Sequence, residues 1–383
     1  MDLTGGVFLT LLVVVTVAAA AAIVAFWSRL ASARPRAVLG RIGALVTLNL
    51  LVLVSVAAVA NNTFGFFADW TDLAGAFASA QQSNATTRGA SASAAVEAPV
   101  SGGEALPTPP ASLPPLPVAE PGQRRFTFSV PGARSGLTGD VVVEVPASYG
   151  EPASRTRRYP VVETFPGYPG NPHQWLDNMG LGTVLDDEAT AGRIAEAIVV
   201  SPTTEIPAGR DTECVDGGAG QEAMETWLTV DVPAWIIRTF RVKTDRASWA
   251  VAGLSAGGFC AAMAVVLHPA RYGAALVFGG YFSPQFGRLY RPFPSNSDQG
   301  RRYDLVAQVS GTPPPVALWL ETSHSDKLSH PSTQQFVKAV RPPLSVHLVE
   351  FAHASHSLIF WSGILPDAVR WLGSEVPGFR HGA

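Results

Sequence analysis

The sequence predicts an α/β protein, a mostly parallel central sheet with helices on both faces, preceded by two transmembrane helices. Three observations carry this. Two long uncharged apolar stretches open the chain, short apolar runs alternate with helix-length segments from Arg125 onward, and a serine between glycines stands where one such run gives way to a helix.

Val7 to Trp27 is a run of 21 residues without a charge. At about 1.5 Å per residue it crosses a hydrocarbon core of roughly 30 Å. Ile42 to Ala60 is a second span, broken only by the mild polarity of Thr47, Asn49 and Ser55. A buried helix of this length in a globular protein normally keeps a polar face. A cleaved signal peptide fits less well, because Met1-Asp2-Leu3 lacks a positive charge and a second span follows. Arg29, Arg34, Arg36 and Arg41 fall in the short connection, which the positive-inside rule holds in the cytoplasm. Both chain ends are then expected on the extracytoplasmic side, with Phe64, Phe66, Phe67 and Trp70 at the outer headgroup level.

Residues 61–124 read as an interfacial segment and a linker. Gln81 to Gln123 is rich in Ala, Ser, Gly and Pro, includes Pro107-Thr108-Pro109-Pro110 and Pro114-Pro115-Leu116-Pro117, and has no aromatic residue. An extended polyproline spacer is expected there. The globular domain is expected over 125–383. With 15% charged residues and a formal net charge of -3, the chain has no basic field for nucleic acid, which is not expected as a partner.

Phe126 to Val130 and Asp140 to Val145 form an opening antiparallel pair with polar turn residues between. Tyr159 to Phe165, Ala197 to Ser201, Ser248 to Ala252, Ala274 to Phe278, Val316 to Glu321 and Ser345 to Phe351 are apolar runs suited to buried strands. Helix-length segments lie between most of them: His173 to Glu188, Gln221 to Phe240, Ala256 to His268, Ser332 to Val340 and His356 to Leu372. This order implies parallel strands joined by helical crossovers.

The strand Ser248 to Ala252, the motif Gly253-Leu254-Ser255-Ala256-Gly257 and the helix after it have the form of a nucleophile elbow, the mark of an α/β-hydrolase fold. Glycines two before and two after the serine let the backbone close into a tight turn. Serine is a poor nucleophile at its own pKa, so an imidazole must take its proton and a carboxylate must orient the imidazole. The fold's chain order is Ser, acid, His. His356, after the last strand, is the candidate base and His353 its rival. Asp326 is the candidate acid, in the loop after Val316 to Glu321, and Glu321 at that strand's end is the alternative.

An oxyanion needs two backbone donors, one from the residue after the nucleophile and one from the loop after the third strand. Ala256 is the first. In Pro166-Gly167-Tyr168-Pro169-Gly170, Pro169 has no N–H, which leaves Tyr168 as the second unless this is only a Pro-Gly turn. No cofactor and no metal are expected, since the histidines lack metal-ligand spacing. Asp211, Glu213 and Asp216 fit a solvated loop better than a calcium loop. Cys214 and Cys260, the only cysteines, can form a disulfide in an outward-facing domain or stand as buried thiols.

With these residues in place, the region from about Arg125 to Leu372 resembles the esterase family that includes esterase D-like enzymes and the antigen 85 mycolyltransferases. The resemblance rests on Phe165-Pro166-Gly167-Tyr168 with Gln174-Trp175-Leu176, and on Gly253 to Phe259. His268-Pro269, Gly279-Gly280-Tyr281-Phe282, and His356-Ser357 with Trp361, Leu365-Pro366 and Trp371-Leu372 add to it. It implies acyl transfer through an acyl-enzyme on an acyl-ester or lipid substrate, with Ser255 as nucleophile, His356 as base, and Tyr168 and Ala256 as amide donors. Asp326 is like the acid of the esterase branch, whereas the mycolyltransferases use Glu. Pro166 stands where those enzymes have Asp, and their signal peptide is cleaved, so hydrolysis is expected ahead of transfer to an envelope alcohol. An inactive hydrolase-fold binding module is the reading from outside enzymology.

Overall fold

The apolar runs become strands of one nine-stranded sheet in the order β1-β9-β8-β7-β6-β4-β5-β3-β2. The strands are β1 Gln81–Gly89, β2 Arg125–Pro131, β3 Thr138–Glu144, β4 Val161–Phe165, β5 Ile198–Pro202, β6 Trp249–Leu254, β7 Ala274–Phe278, β8 Ala317–Ser323 and β9 Ser345–His353. This computed structural model describes residues 6–30, 34–64, 70, 81–113, 122–287 and 290–383. The chain divides into two compact units, 1–79 with 355–357, and 80–354 with 358–383.

In the larger unit β5, β4, β6, β7, β8 and β9 run parallel, and β2 and β3 add the expected antiparallel pair beside β5. Alternate residues of a strand face opposite sides. Val141, Val143, Val161 and Val251 accordingly enter one apolar core, and Val142, Val162, Ala250 and Ala252 the other. Two covered faces explain why these strands read as continuous apolar runs. This is the α/β-hydrolase architecture.

The spacer expected from Gln81 is, over its first part, a piece of the fold. β1 pairs antiparallel with β9, from Gln81 opposite His353 to Gly89 opposite Ser345. The helix Ala92–Glu97 follows, capped by Ser91, which accepts from the Ala94 N–H, and it buries Ala92, Ala95 and Val96. Buried Arg271 then holds the segment by donating to the Glu104 carbonyl at 2.9 Å and its carboxylate at 2.7 Å. An edge strand needs only backbone pairing, so a polar sequence suffices. The proline run Pro114 to Pro117 lies outside the described residues.

Two of the expected helices are interrupted or shorter in the structure. His173 to Glu188 is a π turn, Gln174–Asn178, and a separate helix, Leu181–Thr190, parted by Gly180 at φ 69°. Within Gln221 to Phe240 the helical run starts at Met224, and a π turn, Trp227–Asp231, leads into Val232–Thr239.

In the smaller unit, α1 Gly6–Phe26 and α2 Pro35–Phe64 are both long and apolar enough to cross a membrane. They touch through Thr16 Oγ1 and Ser55 Oγ, 3.0 Å apart, while each hydroxyl also donates to a carbonyl one turn back in its own helix. α2 starts at Pro35, so Arg36 and Arg41 stand on its first turns. The Trp70 ring meets Phe8 edge-on at 5.4 Å, and Phe66 and Phe67 lie outside the described residues.

Candidate active site

β6 ends at Leu254 and a helix, Ala256–Leu267, begins two residues later, leaving Ser255 alone on the turn. Ser255 sits at φ 55°, ψ −120°, a conformation costing a non-glycine residue on the order of 1–3 kcal/mol. Its N–H donates to the Phe278 carbonyl of β7 at 2.9 Å, and its carbonyl accepts from Gly258 N at 2.9 Å. The flanking glycines answer to space. A Cβ on Gly253 would lie 1.8 Å from Gly257 O, and one on Gly257 would lie 2.2 Å from Phe165 O and 2.4 Å from Pro166 O. No side chain fits at either, so the motif lets the turn close against the loop that follows β4.

That loop, Pro166 to Gly170, and the strand end before it are held by hydrogen bonds. Gly167 N donates to Gln174 Oε1 at 3.0 Å, Gly170 N to Glu205 Oε1 at 2.6 Å, and the Trp175 indole to Phe165 O at 2.8 Å. The Tyr168 hydroxyl donates to Gly209 O at 3.0 Å. Tyr168 and Ala256 line the same small hollow, with Gly167, Gly257 and both cysteines around it. Glu205, which holds Gly170 and Gly209 together, went unnoticed in sequence, where a lone acid in a loop carries no signal.

Cys214 and Cys260 form a disulfide with their Cα atoms 5.6 Å apart. It ties the loop of Glu213 and Cys214, both at positive φ, to the helix that Ser255 starts. The solvated reading of that loop is corrected here. Glu213 is buried, its Oε1 accepts from the Tyr281 hydroxyl at 2.7 Å, and burial, then the nearby Asp211 charge, pushes its pKa up to about 8. Burial likewise lifts Asp211 to about 6. Asp216 accepts from the Thr226 N–H at 2.9 Å and its hydroxyl at 2.6 Å.

The two acid candidates are placed differently. Asp326 Oδ1 accepts from Leu328 N and Ser329 N at 2.9 Å, and Oδ2 accepts from Ser329 Oγ at 2.6 Å, at the start of the helix Ser329–Ala339. Glu321 is buried in β8, where Oε2 accepts from Gly279 N at 3.0 Å and from the Trp361 indole at 2.9 Å. His353 is exposed at the end of β9. Ser255, Tyr168, Ala256, Glu321 and Asp326 belong to the larger unit and His356 to the smaller, between β9 and the helix Leu358–Glu375 in sequence.

Residues 137–349 match the family model described as "Putative esterase". Among solved structures the chain is similar to a ferulic acid esterase, with TM-score 0.52 and 18% identity over 65% of this chain and 97% of that one. It is also similar to an S-formylglutathione hydrolase from Agrobacterium tumefaciens, with TM-score 0.53 and 18% identity over 67% and 96%. A third, MPT51 (FbpC1) of Mycobacterium tuberculosis, gives TM-score 0.50 and 16% identity over 67% and 100%. A curated sequence, an uncharacterized protein of Corynebacterium glutamicum, is 34% identical over 149 residues, 39% of this chain. The match spans 34% of that relative's length.

Proposed function

The chain belongs to the esterase family, and on that premise we propose that it is a serine ester hydrolase forming an acyl-enzyme at Ser255. The observation that carries this is the strained Ser255 turn between β6 and its helix, with glycines where no Cβ fits. Strain of this kind persists where the surrounding fold over-determines it, and it holds a side chain at a functional position.

Ser255 Oγ attacks the ester carbonyl while the His356 imidazole takes its proton. The Tyr168 and Ala256 amides stabilise the oxyanion, and the alcohol leaves carrying the proton back from His356. Water then adds by the same route and releases the acid. His356 is assigned from the chain order Ser, acid, His, and Asp326 is assigned as the acid in the loop after β8. Burial of Glu321 against Trp361 favours that carboxylate as the alternative acid.

The substrate class is an acyl ester or lipid. Two helices of membrane-crossing length, with Arg29, Arg34, Arg36 and Arg41 around their connection, support an integral anchor and a catalytic domain on the extracytoplasmic side. An envelope sugar or lipid alcohol in place of water would make the same acyl-enzyme a transferase.

Turnover of p-nitrophenyl esters by the full chain in detergent tests the reading. Ser255→Ala is expected to lower kcat by at least about a thousandfold, and unchanged turnover would overturn it. Acyl product on added sugar, exceeding free acid, would move the assignment to transfer.

A further inference from the structure

We propose that His324, His330 and Glu350 form a binding site for a divalent transition-metal ion of the zinc class. No sequence spacing announces it, because the ligands come from three elements: the loop after β8, the first turn of the helix Ser329–Ala339, and β9. Main-chain bonds bring them together. His324 N donates to Phe351 O of β9 at 2.9 Å, and His330 N donates to Asp326 O at 3.2 Å.

One ligand atom from each of the three residues can be chosen so that all lie within 4.8 Å of one another. The two imidazole rings are 4.7 Å apart, and His324 Nε2 is 3.7 Å from Glu350 Oε1. Small side-chain rotations would bring such a set to the roughly 2 Å bonds of zinc.

Two independent features point to a ligand. Among the described residues, Nδ1 of His330 is a buried polar atom with no hydrogen-bond partner, a costly state that a coordinate bond would relieve. Glu350 is itself oriented, since Gln334 Nε2 donates to its Oε1 at 2.6 Å, as outer partners orient metal-ligating carboxylates.

Two imidazoles and one carboxylate suit Zn2+, and the nitrogen donors select against Mg2+ and Ca2+. Three protein ligands leave a position for water. The site uses none of the residues assigned to acyl chemistry. It spans the loop that carries Asp326, so a bound ion would tie that loop to β9.

The test is calorimetric titration of the chelator-stripped full chain in detergent with Zn2+, with Mg2+ as control, alongside the absorption spectrum of the Co2+ form. The expected result is saturable uptake of one Zn2+ per chain, a raised melting temperature, and no uptake of Mg2+. His324→Ala, at an exposed position, and Glu350→Gln should each weaken uptake by at least about tenfold and remove the Co2+ visible bands. Should Glu350→Gln fail to fold, His324→Ala decides alone. No saturable uptake by the wild-type chain, or uptake unchanged in His324→Ala, would overturn the site.

Discussion

Cys214 is bonded to Cys260, the fifth residue of the helix that Ser255 starts, so the disulfide ties the loop of Glu213 to the Ser255 turn. The bond closes a loop with a sequence separation of 46. Chain entropy assigns such a closure about 4 kcal/mol. Reduction, or the double substitution Cys214→Ser with Cys260→Ser, should lower the melting temperature by roughly 10 °C. Thermal denaturation with and without reductant reads this directly, and an unchanged midpoint would remove the disulfide from the stability account.

Gly257 is the second tight point. A methyl there would fall 2.2 Å from Phe165 O and must displace either the Ser255 turn or the loop after β4. Gly257→Ala should cost about 3 kcal/mol, the upper end for overpacking, and should lower ester turnover well before it unfolds the domain. Chemical denaturation together with turnover separates the two effects.

Burial pushes two carboxyls, Glu163 and Glu213, up to about 8 from an ordinary 4.5. Each holds a proton in the folded chain that the unfolded chain releases. Their contribution is therefore fully present below about pH 4.5 and is lost as pH rises through about 8. The melting temperature should fall from about pH 5 to about pH 8.5, and Glu213→Gln should flatten that fall. A melting temperature rising over this window in the wild type, with Glu213→Gln unchanged, would contradict these assignments.

The choice between Asp326 and Glu321 is open to kinetics. With Asp326 as the acid, Asp326→Asn should lower kcat by about a thousandfold or more and cost only about 1 kcal/mol through weaker bonds from Leu328 N and Ser329 N. Glu321→Gln should act mainly on stability, through its bonds to Gly279 and Trp361. The reverse pattern would transfer the role to Glu321.

The parallel strands and the Ser255 elbow were legible because both follow from simple rules: strands covered on two faces are apolar throughout, and a tight strand-to-helix turn demands glycine. β1 was not legible. Gln81 to Gly89 reads Gln-Gln-Ser-Asn-Ala-Thr-Thr-Arg-Gly, and its described side chains are mostly exposed, so pairing with β9 rests mainly on the backbone. Glu163 and Glu213 were hidden for the opposite reason. A charged residue reads as surface, and only the fold shows Tyr272 and Tyr281 donating to them at 2.8 and 2.7 Å. The break at Gly180 had a signal, a glycine inside a helical pattern, that the surrounding periodicity masked.

The central claim is that Ser255 is the nucleophile, and the most direct measurement is labelling of the folded full chain with a fluorophosphonate, followed by peptide mass spectrometry. The account predicts one adduct per chain, on Ser255, lost on denaturation before labelling and absent in Ser255→Ala. An unlabelled folded chain, or an adduct on another residue that persists in Ser255→Ala, would contradict it.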